Sequence, residues 1–229
     1  MPPPNLTPMD TLFSDDDRAR IADAIHAAEA ETSGEIVPYI AARSAPYEAI
    51  SWRAGVLGAL LMLTLVVLAR AIPLGLPALL TADATMLVLV LAGGASSAYM
   101  ATSVPALIRR FAGAARMEAA VHQRALQAFV EEEVFATRDR TGVLLFVSLL
   151  EHRIEVVADA GIYQTVDAET WSDVAARIRS GIEEGALAQG FIDGIEQCGA
   201  ILREHGLQPT SNDADNADEL PSRIRFDDE

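Results

Sequence analysis

Two long apolar runs lie back to back in the middle of this chain, and no other feature restricts its fold as strongly. The first, AGVLGALLMLTLVVLARAI (Ala54 to Ile72), carries one charge, Arg70, near its end. At about 1.5 Å per residue such a helix crosses roughly 30 Å of hydrocarbon, and Arg70 can extend its head to the far interface. A turn, PLGLPALLTAD (Pro73 to Asp83), follows, broken by Pro73, Gly75 and Pro77. The second run, about Ala84 to Val104, has no ionisable residue except Tyr99. Two uncharged helices of this length make a poor soluble core. The sequence therefore predicts a two-helix transmembrane hairpin within residues 53–108, with spans at about 54–72 and 84–104. Gly55 with Ala59, Gly93 with Ser97, and Gly94 with Ala98 are small residues four apart. They allow close helix approach, either within the hairpin or in a homo-oligomer formed through the transmembrane helices. Neither span holds an acid or a histidine, which argues against a transporter or channel.

The arginines predict the orientation. Arg43 and Arg53 precede the first span, and Arg109, Arg110 and Arg116 follow the second. The positive-inside rule then puts both flanks, and so both termini, in the cytoplasm. The N-terminal MPPPNLTPMDTLF lacks a basic and an apolar region, so no cleavable signal peptide is expected. A net charge of −16 excludes non-specific nucleic-acid binding, which needs a basic surface. All 17 basic residues are arginine, which removes Schiff-base lysine chemistry and a P-loop. The single cysteine, Cys198, permits neither an internal disulfide nor a cysteine zinc cluster.

The two flanks are each too small to bury a core alone. In residues 11–43, Ser14 is the expected N-cap of a helix that opens on Asp15, Asp16 and Asp17, favourable at the positive helix end. Ile21, Ile25 and Ala28 mark its apolar face. Thr32-Ser33-Gly34 stops it, and EIVPYIAA (Glu35 to Ala42) follows as a strand. Pro38 predicts an edge position or a bulge. In residues 109–206, an amphipathic helix is expected from Phe111 to about Ala136. Val143 to Leu149 reads as a strand covered on both faces. Glu151-His152 forms a turn, and Arg153 to Ala158 alternates as a second strand. Two helices follow, one capped by Asp167 with Trp171, Val174, Ile178 and Ile182 inward, the next carrying Phe191, Ile195, Cys198 and Leu202 inward. Cys198 on that face reads as a small core residue. Residues 207–229 are acidic and aperiodic, and a disordered tail is expected there. The flanks together predict one α/β domain whose chain is interrupted by the hairpin.

These features in this order resemble the TPM-domain family. The resemblance rests on a first helix, then TSGEIVPYI, then a helix, then TRDRTGVLLFVSLLEHRIEVVADAGI, then the W…G…QGFIDGI run from Trp171 to Ile195. It covers roughly residues 15–206, and it is similar to the bacterial branch in which two membrane spans follow the first strand. The resemblance implies an α/β/α sandwich with a small central sheet and a two-pass protein of the bacterial inner membrane. For some members it implies divalent-cation binding and an acid phosphatase activity.

The residues offer few groups for such chemistry. Asp159 follows the last predicted strand, with Asp167 and Glu169 close behind, and carboxylates at strand ends can gather at one sheet edge. Hard cations require several oxygens, so Asp159 and Asp167, with Glu169 or Glu35, are the candidate ligands for Ca or Mg. Gly161 would let the chain turn tightly there. Arg138, Arg140, Thr141 and His152 are candidates for contact with an anion or a partner. No complete catalytic constellation is present. The expected role is a membrane-anchored binding or regulatory module with a membrane-protein partner. The alternative is an acid or divalent-metal-dependent phosphatase at the membrane surface.

Overall fold

A computed structural model of the protein describes residues 12–71, 83–163, 165–207 and 220–227. The described residues form eight α-helices and one four-stranded mixed sheet. The chain divides into two units, one built on residues 46–117 and the other on residues 6–45 with 118–229.

The second unit is the α/β unit. It contains α1 (Asp15–Ala30), β1 (Glu35–Ala41), most of α5 (Ala114–Glu131), β2 (Gly142–Ser148), β3 (Arg153–Ala158), α6 (Ala160–Tyr163), α7 (Trp171–Glu183), α8 (Leu187–Glu204) and β4 (Arg225–Phe226). Helix α1 starts where the sequence places it. Ser14 Oγ accepts from the Asp17 N–H at 3.1 Å, and the Asp17 carboxylate accepts from the Ser14 N–H at 3.2 Å. This reciprocal pair satisfies two helix-end donors.

The sheet order is β3-β2-β1-β4. Strand β1 runs parallel to β2, from Glu35 opposite Gly142 to Ala41 opposite Ser148. Strand β2 runs antiparallel to β3 as the expected hairpin. Every residue of β2 is buried, because the sheet is covered twice. Val143, Leu145 and Val147 meet the apolar faces of α1, α7 and α8. Leu144 and Phe146 meet Val121, Ala125 and Ala128 of α5. The result is the expected α/β/α sandwich. Each fully buried Leu, Ile or Phe in it contributes roughly 1.5–3 kcal/mol of apolar burial.

Three expectations need correction. Pro38 is not on an edge strand, since β1 lies between β2 and β4. Its missing N–H nevertheless falls on the β4 side. Ile36 and Ile40, two residues away in either direction, both turn polar groups to that side. Ile36 N–H donates to Glu29 Oε1 and Ile40 C=O accepts from Asp227 N–H, each at 2.9 Å. Strand β4 pairs only with Tyr39 and Ile40, so Pro38 interrupts no rung. Second, the helix expected from Phe111 to Ala136 is two helices. Gly113, at φ +81°, separates α4 (Pro105–Ala112) from α5. Third, the tail expected from residue 207 ends in ordered structure. Leu220 and Ile224 are buried and Arg225–Phe226 forms β4. Residues 208–219, 228 and 229 of that tail lie outside the described residues.

The first unit holds α2 (Glu48–Ala71), α3 (Asp83–Ser103) and α4. Helices α2 and α3, of 24 and 21 residues, are long and apolar enough to cross a membrane. Leu57, Leu61 and Leu91 are each 63% exposed, an outward apolar surface suited to lipid rather than water. The helices meet through their small residues. A Cβ built on Gly58 would lie 2.1 Å from Ser97 Oγ, and one on Gly94 would lie 3.1 Å from Ala59 Cβ. Side chains there would force the helices apart. The predicted turn lies outside the described residues except Asp83, which pairs with Arg70.

A cysteine pair tests this packing. A Cβ on Gly55 would stand 3.3 Å from Ala98 Cβ, close to the roughly 3.5–4.5 Å of a disulfide. Gly55→Cys with Ala98→Cys is expected to close on mild oxidation in membranes, giving a reducible gel shift within one chain. Failure to close would refute the packing; buried Cys198 need not be replaced.

Candidate functional site

Asp159 leaves the end of β3 and is 4% exposed. Arg140 holds it through two contacts, Nη2 to Oδ1 at 2.9 Å and Nε to Oδ2 at 2.7 Å. The Ala160 N–H donates to Oδ1 at 2.7 Å. Backbone bonds fasten the same turn. Asp159 N–H donates to Gly142 C=O at 2.9 Å and Gly161 N–H to Arg140 C=O at 3.0 Å. A Cβ on Gly161 would lie 2.5 Å from the Asp139 carbonyl oxygen, so a side chain is excluded. Arg140 adopts φ +58° and lays its guanidinium over the Phe135 ring at 5.8 Å. Thr141 is buried beside it, its N–H on Thr137 Oγ1 and its hydroxyl donating to Ser33 C=O. The acidic loop is thus stapled to the turn that starts β2.

The other predicted residues stand apart. Asp167 and Glu169 are exposed, and the Asp167 side chain makes no cap bond; the helix it was expected to cap begins at Trp171, after a short 3-10 turn. Arg138 is exposed, and His152 is exposed at the hairpin tip with φ +52°. Glu35 is buried. Among the described residues no group of three or more His, Cys, Asp or Glu is placed to hold a metal ion. Topology supplies a reason. Because β3 is antiparallel, Asp159 lies beside the N-terminal ends of β1 and β2. Ligands of α/β sheets favour the opposite, C-terminal edge.

At that C-terminal edge a different cluster forms. Ser44 Oγ hydrogen-bonds Ser148 Oγ at 2.8 Å, Ser148 Oγ donates to Glu151 Oε2, and Ser44 N–H donates to Glu151 Oε1 at 3.0 Å. Glu151 and Ser148 are buried. The carboxylate ends a short hydroxyl chain and ties the exit of β1 to the β2–β3 turn. Sequence reasoning missed it because Ser44 and Glu151 are 107 residues apart. The available signal was Ser148, a polar residue closing an otherwise apolar strand.

A third cluster centres on Arg124. Its Nε and Nη2 bind both oxygens of Asp227 at 3.0 and 2.8 Å, and Nη2 also donates to Tyr39 Oη at 2.9 Å. The guanidinium lies 5.5 Å from the Tyr39 ring centroid, and that ring stacks on Phe146. Burial, then the Asp227 carboxylate, raises the Tyr39 phenol to about 12. Cys198 is fully buried as expected, and burial pushes its thiol up, away from nucleophilic use.

Comparison with known proteins agrees with this architecture. Residues 106–201 match the TPM domain family model. The NMR structure of BA42 protein from the psychrophilic bacterium Bizionia argentinensis is similar at a TM-score of 0.57 and 19% identity, with 97% of this chain and 100% of that chain covered. That likeness concerns the fold alone. No curated protein matches the chain.

Two predictions follow from these clusters. Arg140→Ala leaves a buried carboxylate without its counter-charge; a loss of about 2–4 kcal/mol is expected by thermal or denaturant unfolding. Asp159→Asn should cost less, and adding it to Arg140→Ala should recover part of the loss; additive losses would refute the staple. Tyr39 is neutral when protonated, and its folded pKa lies above the unfolded value. Its contribution to stability is therefore complete below pH ~10 and lost as pH rises toward about 12. A tyrosinate absorbance step near pH 12, absent in Tyr39→Phe, is the expected signature.

Proposed function

We propose that this chain, which carries a TPM domain, is a membrane-anchored binding or regulatory module of the bacterial inner membrane. Helices α2 and α3 cross the bilayer as a two-pass anchor, and the α/β unit with both termini faces the cytoplasm. A membrane protein is the expected partner. One observation carries the reading. Among the described residues, three of the four buried acids, Asp159, Glu151 and Glu29, are committed within the chain, to Arg140, to Ser148 with Ser44, and to Ile36 N–H with Ser222. Acids engaged in this way hold the fold together instead of standing open for acid–base work or ligation. The arginines flanking the spans support the cytoplasmic side.

The second reading is a divalent-metal-dependent phosphatase using Asp159 with Asp167 and Glu169. The closeness of these acids in the sequence favours it. The described arrangement does not fit a cation there, because Asp159 is already neutralised by a guanidinium. Calcium or magnesium would require Arg140 to give way, and no phosphoryl-transfer step is derived.

Single cysteines test the orientation. Thr81→Cys should react with a membrane-impermeant maleimide on intact spheroplasts, and Asp139→Cys only after lysis. The reverse pattern would overturn the assignment. Titration of the full chain in nanodiscs with millimolar calcium or magnesium should leave the 159–169 amide signals unchanged. Shifts abolished by Asp159→Asn would favour the phosphatase instead.

A further inference from the structure

The C-terminal strand is held in an unusual way. It makes only two backbone pairings, Tyr39 with Arg225 and Ile40 with Phe226, extended by Asp227 N–H onto Ile40 C=O. Toward its N-terminal end the β1 edge offers no longer ladder. Pro38 has no N–H, and the Ile36 N–H is already taken by the Glu29 carboxylate. Two rungs alone hold a peptide weakly, so side chains must supply the selectivity. They alternate as a strand demands. Arg225 Nη1 reaches the Glu132 carboxylate and carbonyl. Phe226 points the other way, its ring 6.3 Å from that of Phe13 and 5.8 Å from the Arg18 guanidinium. Asp227 returns to the first side, where Arg124 grips both carboxylate oxygens.

We infer that the β1 edge is an acceptor site for a short extended peptide, and that residues 222–227 fill it in cis. The partner it fits is a protein segment carrying a basic residue, an aromatic residue and an acid in succession, added parallel to β1. Glu132 reads the base, Phe13 with Arg18 the aromatic ring, and Arg124 the acid. Strand addition of this kind draws affinity from the backbone and selectivity from alternate side chains. The cis segment competes at an effective concentration on the order of millimolar. A partner displaces it only when concentrated nearby, for instance in the same membrane. The inference rests on the binding-module reading but fails separately. A module without this site would still bind its partner through another face.

The test uses the full chain in nanodiscs and a fluorescent peptide of residues 220–227. Ile224→Ala, Arg225→Ala, Phe226→Ala and Asp227→Ala together remove the main side-chain anchors of the chain's own strand and leave the acceptor's side chains in place. The peptide is expected to bind this variant about tenfold or more tighter than the wild type. Arg124→Gln in the same background should weaken binding by about tenfold or more. A peptide with its arginine and aspartate positions exchanged in charge should not bind. Absence of saturable binding to the variant, or equal binding to variant and wild type, would overturn the proposal. If the variant unfolds, hydrogen exchange of the wild type decides. Saturating peptide should remove protection from the Asp227 amide, and unchanged protection would overturn the acceptor site.

Discussion

The parallel ladder between β1 and β2 is the constraint on which the rest of the molecule depends. Parallel neighbours cannot be joined by a tight turn; the chain must leave one end of the sheet and re-enter at the other. Here the crossover spans residues 42–141. It contains both long apolar helices, and its last part is α5, whose Val121, Ala125 and Ala128 cover the second face of the sheet. Loop-closure cost grows only logarithmically with length, so a pair of membrane-length helices can sit inside this connection. The register survives because the ladder is secured at both ends. Glu35 N–H donates to Thr141 C=O where the strands begin, and Leu149 and Leu150 N–H donate to Ala41 and Ala42 C=O where they finish.

Buried carboxylates form the second layer of the design. Glu29 caps the open part of the β1 edge, Glu151 fastens the exit of β1, and Asp159 fastens the exit of β3. Glu151 reaches Ser44 across 107 residues and Glu29 also reaches Ser222 across 193, while Asp159 meets Arg140 only 19 residues away. A buried carboxylate tolerates few alternatives, since losing its partner strands a charge in a poor solvent. An acidic chain thus uses part of its charge to specify connectivity. Functional readings that need free acids are correspondingly weakened, and surfaces built for recognition gain ground. The proposed peptide site lies on the β1 edge, whose length is limited by Pro38 and Glu29.

Much of the fold was legible from local pattern. Ser14 followed by three aspartates marked a helix start, and the structure holds the reciprocal cap. The almost continuously apolar run Val143–Leu149 marked a strand covered on both faces, and both faces are packed. Trp171, Val174 and Ile178, then Phe191, Ile195 and Cys198, marked two inward helix faces. Other features lay beyond such patterns. Residues 220–227 have too few apolar positions to announce a strand; Arg225–Phe226 is one because β1 has an edge to receive it. Arg124 reads as one polar residue among several on a helix until Tyr39 and Asp227 are brought beside it.

The sequence by itself determined the order of helices and strands, the helical pair and the inward faces. These follow from periodicity and from apolar runs whose length is set by burial in protein or in lipid, both local properties of the chain. Only the tertiary structure decided what the acids do. Asp159 stands at a strand end in the sequence, but which sheet edge it occupies depends on the direction of β3 against β2, and its partner Arg140 is chosen by that edge. Charge pairing is a matter of distances of a few ångströms between segments far apart in the chain, and such distances exist only once the sheet has closed.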